Sequence, residues 1–324
     1  METGATLLPF VILAIIMVLA NLETYNQAFR WITYIAIILL NLSLLLFGLL
    51  GIAAPSLSVP GMNETTLAAF VVFARAMGIA SVVAFFPLLR PVRSLLARFI
   101  PIDPDSTVHT TALVFAVYLL GMGLGQIPLM SDPAALEGFG PIGVTTALIW
   151  AQAVGMILLT FAGIGTLIRR DWRESMERLA IKPVDLRQLG IAMGAILLLL
   201  AVQFALSYGW QAIDPEGFQQ IEDAGNLLLG DVNGLFGAIT IGLAAALGEE
   251  LIFRGALQPK FGLILTAILF TVLHSQYGIS PATVLILAIA LLLGVMRTRT
   301  NLTVCILIHF GYNFLGVMLS SLGP

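Results

Sequence analysis

Ten apolar stretches, each near the ~20 residues that a helix needs to cross a bilayer, constrain this chain more than any other feature. They fall at 7–22, 31–53, 66–89, 109–130, 142–168, 189–208, 235–258, 261–274, 281–296 and 302–322. Hydrophobic residues make up 59% of the 324 and charged residues 10%. Soluble domains are about 45–50% apolar and about 25% charged, and a soluble fold could not cover so much apolar surface. The expected class is therefore all-α, a polytopic transmembrane bundle of about ten spans whose first partner is the lipid bilayer. A net charge of −3 gives no reason to expect a nucleic-acid partner. The single cysteine, Cys305, rules out an internal disulfide framework. The first 22 residues lack a basic start and a small-residue cleavage site, so they read as a spanning helix, not a cleaved signal.

The basic residues give an independent check on the span count. Arg30 lies in the first connection, Arg90, Arg93 and Arg98 in the third, and six Lys or Arg between Arg169 and Arg187 in the fifth. Lys260 lies in the seventh, and Arg297 and Arg299 in the ninth. The even connections carry only acids: Glu64; Asp132 and Glu137; Asp214, Glu216, Glu222, Asp223 and Asp231. By the positive-inside rule the odd connections are cytoplasmic and both termini are outside. The composition looks prokaryotic, which points to the plasma membrane. The stretch 169–188 is the largest cytoplasmic connection and the natural boundary. It separates an N-terminal accessory bundle, 1–188, from a C-terminal unit, 189–324.

Ionisable residues at membrane depth cost roughly 2.5–3.5 kcal/mol each on insertion scales, so each one asks for a reason. Glu249, Glu250 and Arg254 lie in the seventh stretch, His274 ends the eighth, and His309 and Asn313 lie in the tenth. At ~1.5 Å per residue, Glu249 lies about 16 Å and His274 about 21 Å from Lys260, and His309 about 15 Å from Arg299. Three helices thus bring a carboxylate, two imidazoles and an amide to one depth, inward of the outer face. Glu250 and Arg254 stand four apart on one stripe, a local ion pair that is structural in character. Glu249 points about 100° away, lacks that counter-ion, and needs a partner on another helix, for which His274 is the candidate. Its stripe carries Gly242, Ala245 and Ala246, small enough for close helix approach. A carboxylate and an imidazole are what hydrolysis by water needs. His309 and Asn313 share a face and can donate to a developing oxyanion.

Other polar residues fit blander roles. His109 sits near the cytoplasmic interface and reads as structural, and Tyr312, Phe253 and Phe270 read as packing residues. Asn63-Glu64-Thr65 fits a glycosylation sequon on an outer loop. Arg75, inside the third span, has no partner the sequence can name.

Glu-Glu-x-x-x-Arg at 249–254, Phe-x-x-x-His at 270–274 and His-x-x-x-Asn at 309–313, with Arg297-Thr298-Arg299 before the last, resemble the CPBP family. This is the CAAX-protease and bacteriocin-processing group, also called the ABI or type II CAAX endopeptidase family. The resemblance covers about residues 235–318. It implies a glutamate-dependent intramembrane endopeptidase in which Glu249 and His274 activate water and His309 and Asn313 support the oxyanion. Glu250 and Arg254 match positions held to be architectural. The implied substrate is a membrane peptide or protein, reached from mid-membrane toward the cytoplasmic side. No cofactor is expected. The alternative is a divalent metal such as zinc, which Glu249, His274 and His309 would hold. A His-Glu-x-x-His helix is missing, and asparagine is a poor zinc ligand. Two other functions compete: a proton-coupled transporter using Glu249 and His274 as a relay, and a non-catalytic scaffold regulating a partner protein.

Overall fold

The computed structural model describes residues 2–53, 63–137, 144–229, 232 and 234–320. Position 142, Asp231 and the end of the tenth stretch at 322 lie outside the described residues. Fourteen α-helices carry the described chain. They are α1 (Glu2–Leu22), α2 (Ala28–Ala53), α3 (Glu64–Val83), α4 (Arg90–Leu96), α5 (Thr107–Met130), α6 (Pro133–Glu137) and α7 (Thr146–Ile164). The second half holds α8 (Trp172–Leu179), α9 (Leu186–Ile213), α10 (Pro215–Leu229), α11 (Gly234–Glu250), α12 (Gln258–Leu273), α13 (Pro281–Arg299) and α14 (Leu302–Ser320). A π-helical stretch, Leu251–Leu257, joins α11 to α12.

Among the described residues there are nine candidate spans, not ten, because the seventh and eighth stretches run as one segment, Gly234–Leu273. Forty residues of straight helix would be about 60 Å long, twice the ~30 Å hydrocarbon core. The segment does not run straight. Gly262 takes φ 75°, a conformation that glycine adopts without a Cβ penalty, and the chain turns back on itself. Positions 249 and 274 consequently meet, with His274 Nε2 3.8 Å from Glu249 Oε2. The arm from 263 to 273 is only ~16 Å long. It is about half the hydrocarbon thickness, and His274 sits at its tip.

The π-helical stretch has a local cause. Pro259 has no N–H, so the carbonyl of Gly255 loses its ordinary helical donor. Arg178 supplies one instead, from Nη1 to Gly255 O at 3.0 Å, and Arg297 Nε donates to Arg254 O at 3.2 Å. Burial, with Arg170 and Arg297 nearby, holds the Arg178 pKa below the ordinary arginine value. Gln258 Nε2 donates to Gly294 O at 2.8 Å and fastens the stretch to α13.

The basic connections meet at one end of the molecule. Arg30 pairs with Glu23 and reaches Asp105 O; Tyr25 Oη donates to Ile168 O at 2.6 Å; Arg297 reaches Leu179 O. Arg90 and Asp105 form a two-pronged bond there, which holds the Asp105 carboxyl below its ordinary pKa. His109 belongs to the same end, accepting from the Asp103 N–H at 2.8 Å in a structural clamp. The acidic connections meet at the other end, where Gln220 Nε2 donates to Ser131 O and the Val144 N–H to Leu228 O. Asn63 caps α3 through the Thr66 N–H at 2.7 Å and donates to Ala134 O, so its amide is engaged as a helix cap.

Four shorter helices go beyond the ten stretches. Capping boxes at Asp171/Glu174 and Asp185/Gln188 start α8 and α9 and delimit the fifth connection. The amphipathic α10 occupies what reads in sequence as a polar connection. It buries Ala224 and sets Phe218 edge-on to Trp210 at 5.4 Å.

Candidate active site

The two neighbouring glutamates have different fates. Glu250 is fully buried, and its Oε1 meets Arg254 Nη1 at 3.1 Å and His309 Nδ1 at 2.9 Å. The arginine contact lies off the N–H axis, so Nη1 makes no hydrogen bond there, and its attraction is chiefly coulombic. Arg254 Nη2 donates to Ala290 O at 3.4 Å, and its guanidinium lies 4.1 Å over the Phe270 ring. Since Glu250 is a carboxylate facing a guanidinium, it accepts, and His309 Nδ1 is the donor. Sequence spacing foretells the Arg254 contact. It does not foretell that His309, from α14, joins the pair.

Glu249 and His274 are 12% and 16% exposed, so this pair opens to the protein surface while the Glu250 group is sealed. His274 Nδ1 lies 2.9 Å from Phe270 O. A carbonyl can only accept, so Nδ1 carries the hydrogen and the neutral ring has its lone pair on Nε2. That lone pair faces Glu249 Oε2, which is buried without a hydrogen-bond partner. Two acceptors thus look at each other across 3.8 Å. A water near 2.8 Å from each atom would donate one hydrogen to each and keep its own lone pairs free.

Two aromatic rings fix the histidines. Phe270 lies 4.7 Å from the His274 ring and 6.1 Å, edge-on, from the His309 ring. Tyr277, on the turn Ser275–Tyr277, stacks on His274 from 6.4 Å at 18°. The sequence assigns Phe270 to packing, which is correct for its face against Phe253 and incomplete for the rest. For Tyr277 the available signal was its place three residues after His274 on a turn-like segment.

Small residues on two faces of α11 serve close approach. A Cβ at Gly242 would come within 3.1 Å of Phe310 on α14, and one at Gly248 within 3.1 Å of Ala153 on α7. Asn313 stands one turn beyond His309 on α14, partly buried. Among the described residues it has no hydrogen bond to Glu249, His274 or His309. The metal alternative fits the geometry poorly. No three His, Cys, Asp or Glu side chains among the described residues are grouped to hold a metal, and His309 Nδ1 is committed to Glu250.

Against known proteins, residues 231–315 match the family model of type II CAAX prenyl endopeptidase Rce1-like proteins. No curated protein and no solved structure matches the chain. The matched segment holds all four side chains, Glu249, His274, His309 and Asn313. Residues 231–315 are thus similar to the type II CAAX endopeptidases, a family of peptide hydrolases, and this segment carries the endopeptidase character of the molecule.

Proposed function

We propose that Glu249 and His274 activate water for hydrolysis of a peptide bond in a membrane-associated peptide or protein. The observation that carries this is the facing pair of acceptors, Oε2 and Nε2, 3.8 Å apart, with the opposite side of the imidazole tied to Phe270 O. The water oxygen bonds to the carbonyl carbon while its proton passes to Glu249. Negative charge develops on the carbonyl oxygen, toward which Asn313 and an Nε2–H of His309 donate. The C–N bond then breaks as the Glu249–His274 pair returns a proton to the leaving amine. Donation from His309 Nε2 requires a doubly protonated ring, whose other N–H Glu250 accepts while it shares its one negative charge between His309 and Arg254. Glu250 and Arg254 hold His309 in place and touch no reacting atom.

The same reading places the basic end of the bundle in the cytoplasm, both termini outside, and residues 1–188 as an accessory bundle. Substrate reaches Glu249 through the partly open side of the site, from mid-membrane toward the cytoplasmic end.

The test is cleavage of a single-span peptide in ¹⁸O-labelled water with hydroxylamine present. One label should enter the new carboxyl terminus, and no hydroxamate-ended fragment should form. A hydroxamate would show an acyl-enzyme and refute direct attack by water. In strong chelator cleavage should continue; full loss restored by zinc would move the mechanism onto a metal.

A further inference from the structure

Arg75 plays no part in the site, and its position is costly. It lies on α3 within the candidate span Glu64–Leu88, one residue from the middle of that span. At ~1.5 Å per residue it is about 16 Å from one end and about 20 Å from the other, too far for its side chain to reach either interface. It is exposed on the outside of the bundle, where lipid would lie, and among the described residues it has no ion pair or hydrogen bond. A charge so placed costs roughly 2.5–3.5 kcal/mol on insertion scales, or more, unless something comes to it.

The surroundings are shaped for an approach. Arg75 lines a groove of 460 Å³ between α2 and α3, with Leu45, Leu49, Ile52, Ile79 and Val82. The floor is backbone. A Cβ at Gly48 would stand 2.4 Å from the Cα of Gly78, so the two helices touch there without side chains. Leu49, Ile52, Ile79 and Val82 are 49–67% exposed and form apolar rims. Small-residue floors of this kind let a further helix come close, and a buried cation then selects its partner by charge.

We infer that this groove docks a transmembrane helix of another protein that carries an aspartate or glutamate near its midpoint. The depth of Arg75 decides between occupants. A lipid phosphate stays at the interface, about 16 Å away. A second copy of this chain could offer only Glu249 or Glu250 at mid-span, and both are enclosed in the active-site half, with side chains 12% and 0% exposed. A carboxylate on a foreign helix would reach the guanidinium at its own depth and form a two-pronged pair in a dry environment.

The experiment uses the full chain in zwitterionic nanodiscs, with fluorescent single-span leucine–alanine peptides that have Glu, Gln or Lys at the centre. Energy transfer from a donor placed on α2 reads binding. The Glu peptide should bind at least tenfold tighter than the Gln peptide. Arg75→Leu and Arg75→Gln should each erase that difference, and Arg75→Glu should transfer the preference to the Lys peptide. Each variant must melt where the parent does; because the groove is on the surface, at least the polar, uncharged Arg75→Gln should. Equal binding of Glu and Gln peptides to the parent protein would overturn the inference, as would discrimination that survives Arg75→Gln. Tight retention of an anionic lipid lost on Arg75→Gln, without peptide discrimination, would assign the groove to a headgroup instead. Dimerisation that depends on Arg75 would assign it to a second copy.

Discussion

The two halves of the molecule bury polar atoms in opposite ways. In the long N-terminal helices the buried polar groups are neutral, the buried Arg93 lying on the short α4 at the basic end, and many find partners within their own helix. Thr33 bonds Phe29 O, Ser81 bonds Gly78 O, and Thr110, Thr111 and Thr160 each bond the carbonyl four residues back. Such a hydroxyl is satisfied wherever its helix goes and places no demand on a neighbour. In the C-terminal half charged and titratable groups are buried at the centre of the helices, Glu250, Arg254 and His309 among them, and they take partners from other helices. Glu250 of α11 needs His309 of α14, Arg254 needs Ala290 of α13, and Glu249 faces His274 just past the end of α12. Self-satisfied hydroxyls act as local glue. A cluster assembled across helices exists only if the whole fold holds it, and such cost marks chemistry.

The sharpest way to break this contrast is at the exposed member of the cluster. Glu249→Gln keeps shape and removes the base, so cleavage should fall by about 10⁴, the upper range for acid–base catalysis. Folding should be spared, because Glu249 has no close ion pair of its own. Near-normal turnover by a folded Glu249→Gln enzyme, measured on a single-span peptide, would leave the cluster without its catalytic meaning.

One residue away the effect should be on folding. Arg254→Ala leaves Glu250 buried with only His309, and breaking a buried pair costs about 3–5 kcal/mol. The variant should unfold earlier in detergent titrations and lose yield and activity together. Full stability with activity gone would make Arg254 part of the reaction and not of its frame.

Smaller losses should follow at the oxyanion and stacking positions. Asn313→Ala removes one donor and should cost about 10²–10³ in kcat while leaving measurable cleavage. At Tyr277 the ring matters more than the hydroxyl if stacking orients His274. Tyr277→Phe should stay near parental turnover, whereas Tyr277→Leu should lose up to about tenfold, the worth of one aromatic pair. It should also change the kcat–pH profile, which a loss of packing elsewhere would not do. Equal losses in both variants would show the phenol itself at work.

The same contrast explains what could be read from the sequence. Apolar length and the alternation of Arg/Lys with acidic connections locate the spans, because membranes impose both on local sequence. Glu250–Arg254 is equally legible, being a pair within one helix. The turn between α11 and α12 was legible as well, because Gln258-Pro259-Lys260 interrupts the apolar run; its hinge at Gly262 was not, since only the left-handed φ marks it. Nor was the bond from His309 to Glu250, which depends on how α14 is rotated against α11. The amphipathic α10 escaped because fifteen residues with three acids, Glu216, Glu222 and Asp223, resemble a polar loop when the eye looks for spans.

The smallest predicted effect lies in the N-terminal bundle and tests the other side of the contrast. Tyr118 Oη donates to Asn41 Oδ1 at 2.5 Å, a neutral pair between α5 and α2, buried on both sides. Like Asn21 to Ala162 O and Thr66 to Ala135 O it is a bond between helices, but it joins two side chains, and so it is the best place for hidden cost to appear. Asn41 Nδ2 has no partner, so the asparagine brings an unsatisfied donor along with its accepted bond. Tyr118→Phe strands the second Asn41 atom, while Asn41→Leu with Tyr118→Phe removes the polar groups together. The double-mutant cycle should therefore return a coupling of about 0.6 kcal/mol and no more than about 1.7, the range for neutral bonds between membrane helices. Cleavage by all three variants should stay within about twofold of the parent enzyme, since a bond worth so little shifts any rate by a small factor. A coupling at the level expected for Arg254, or a collapse of turnover, would mean that the N-terminal helices also hold the site in register.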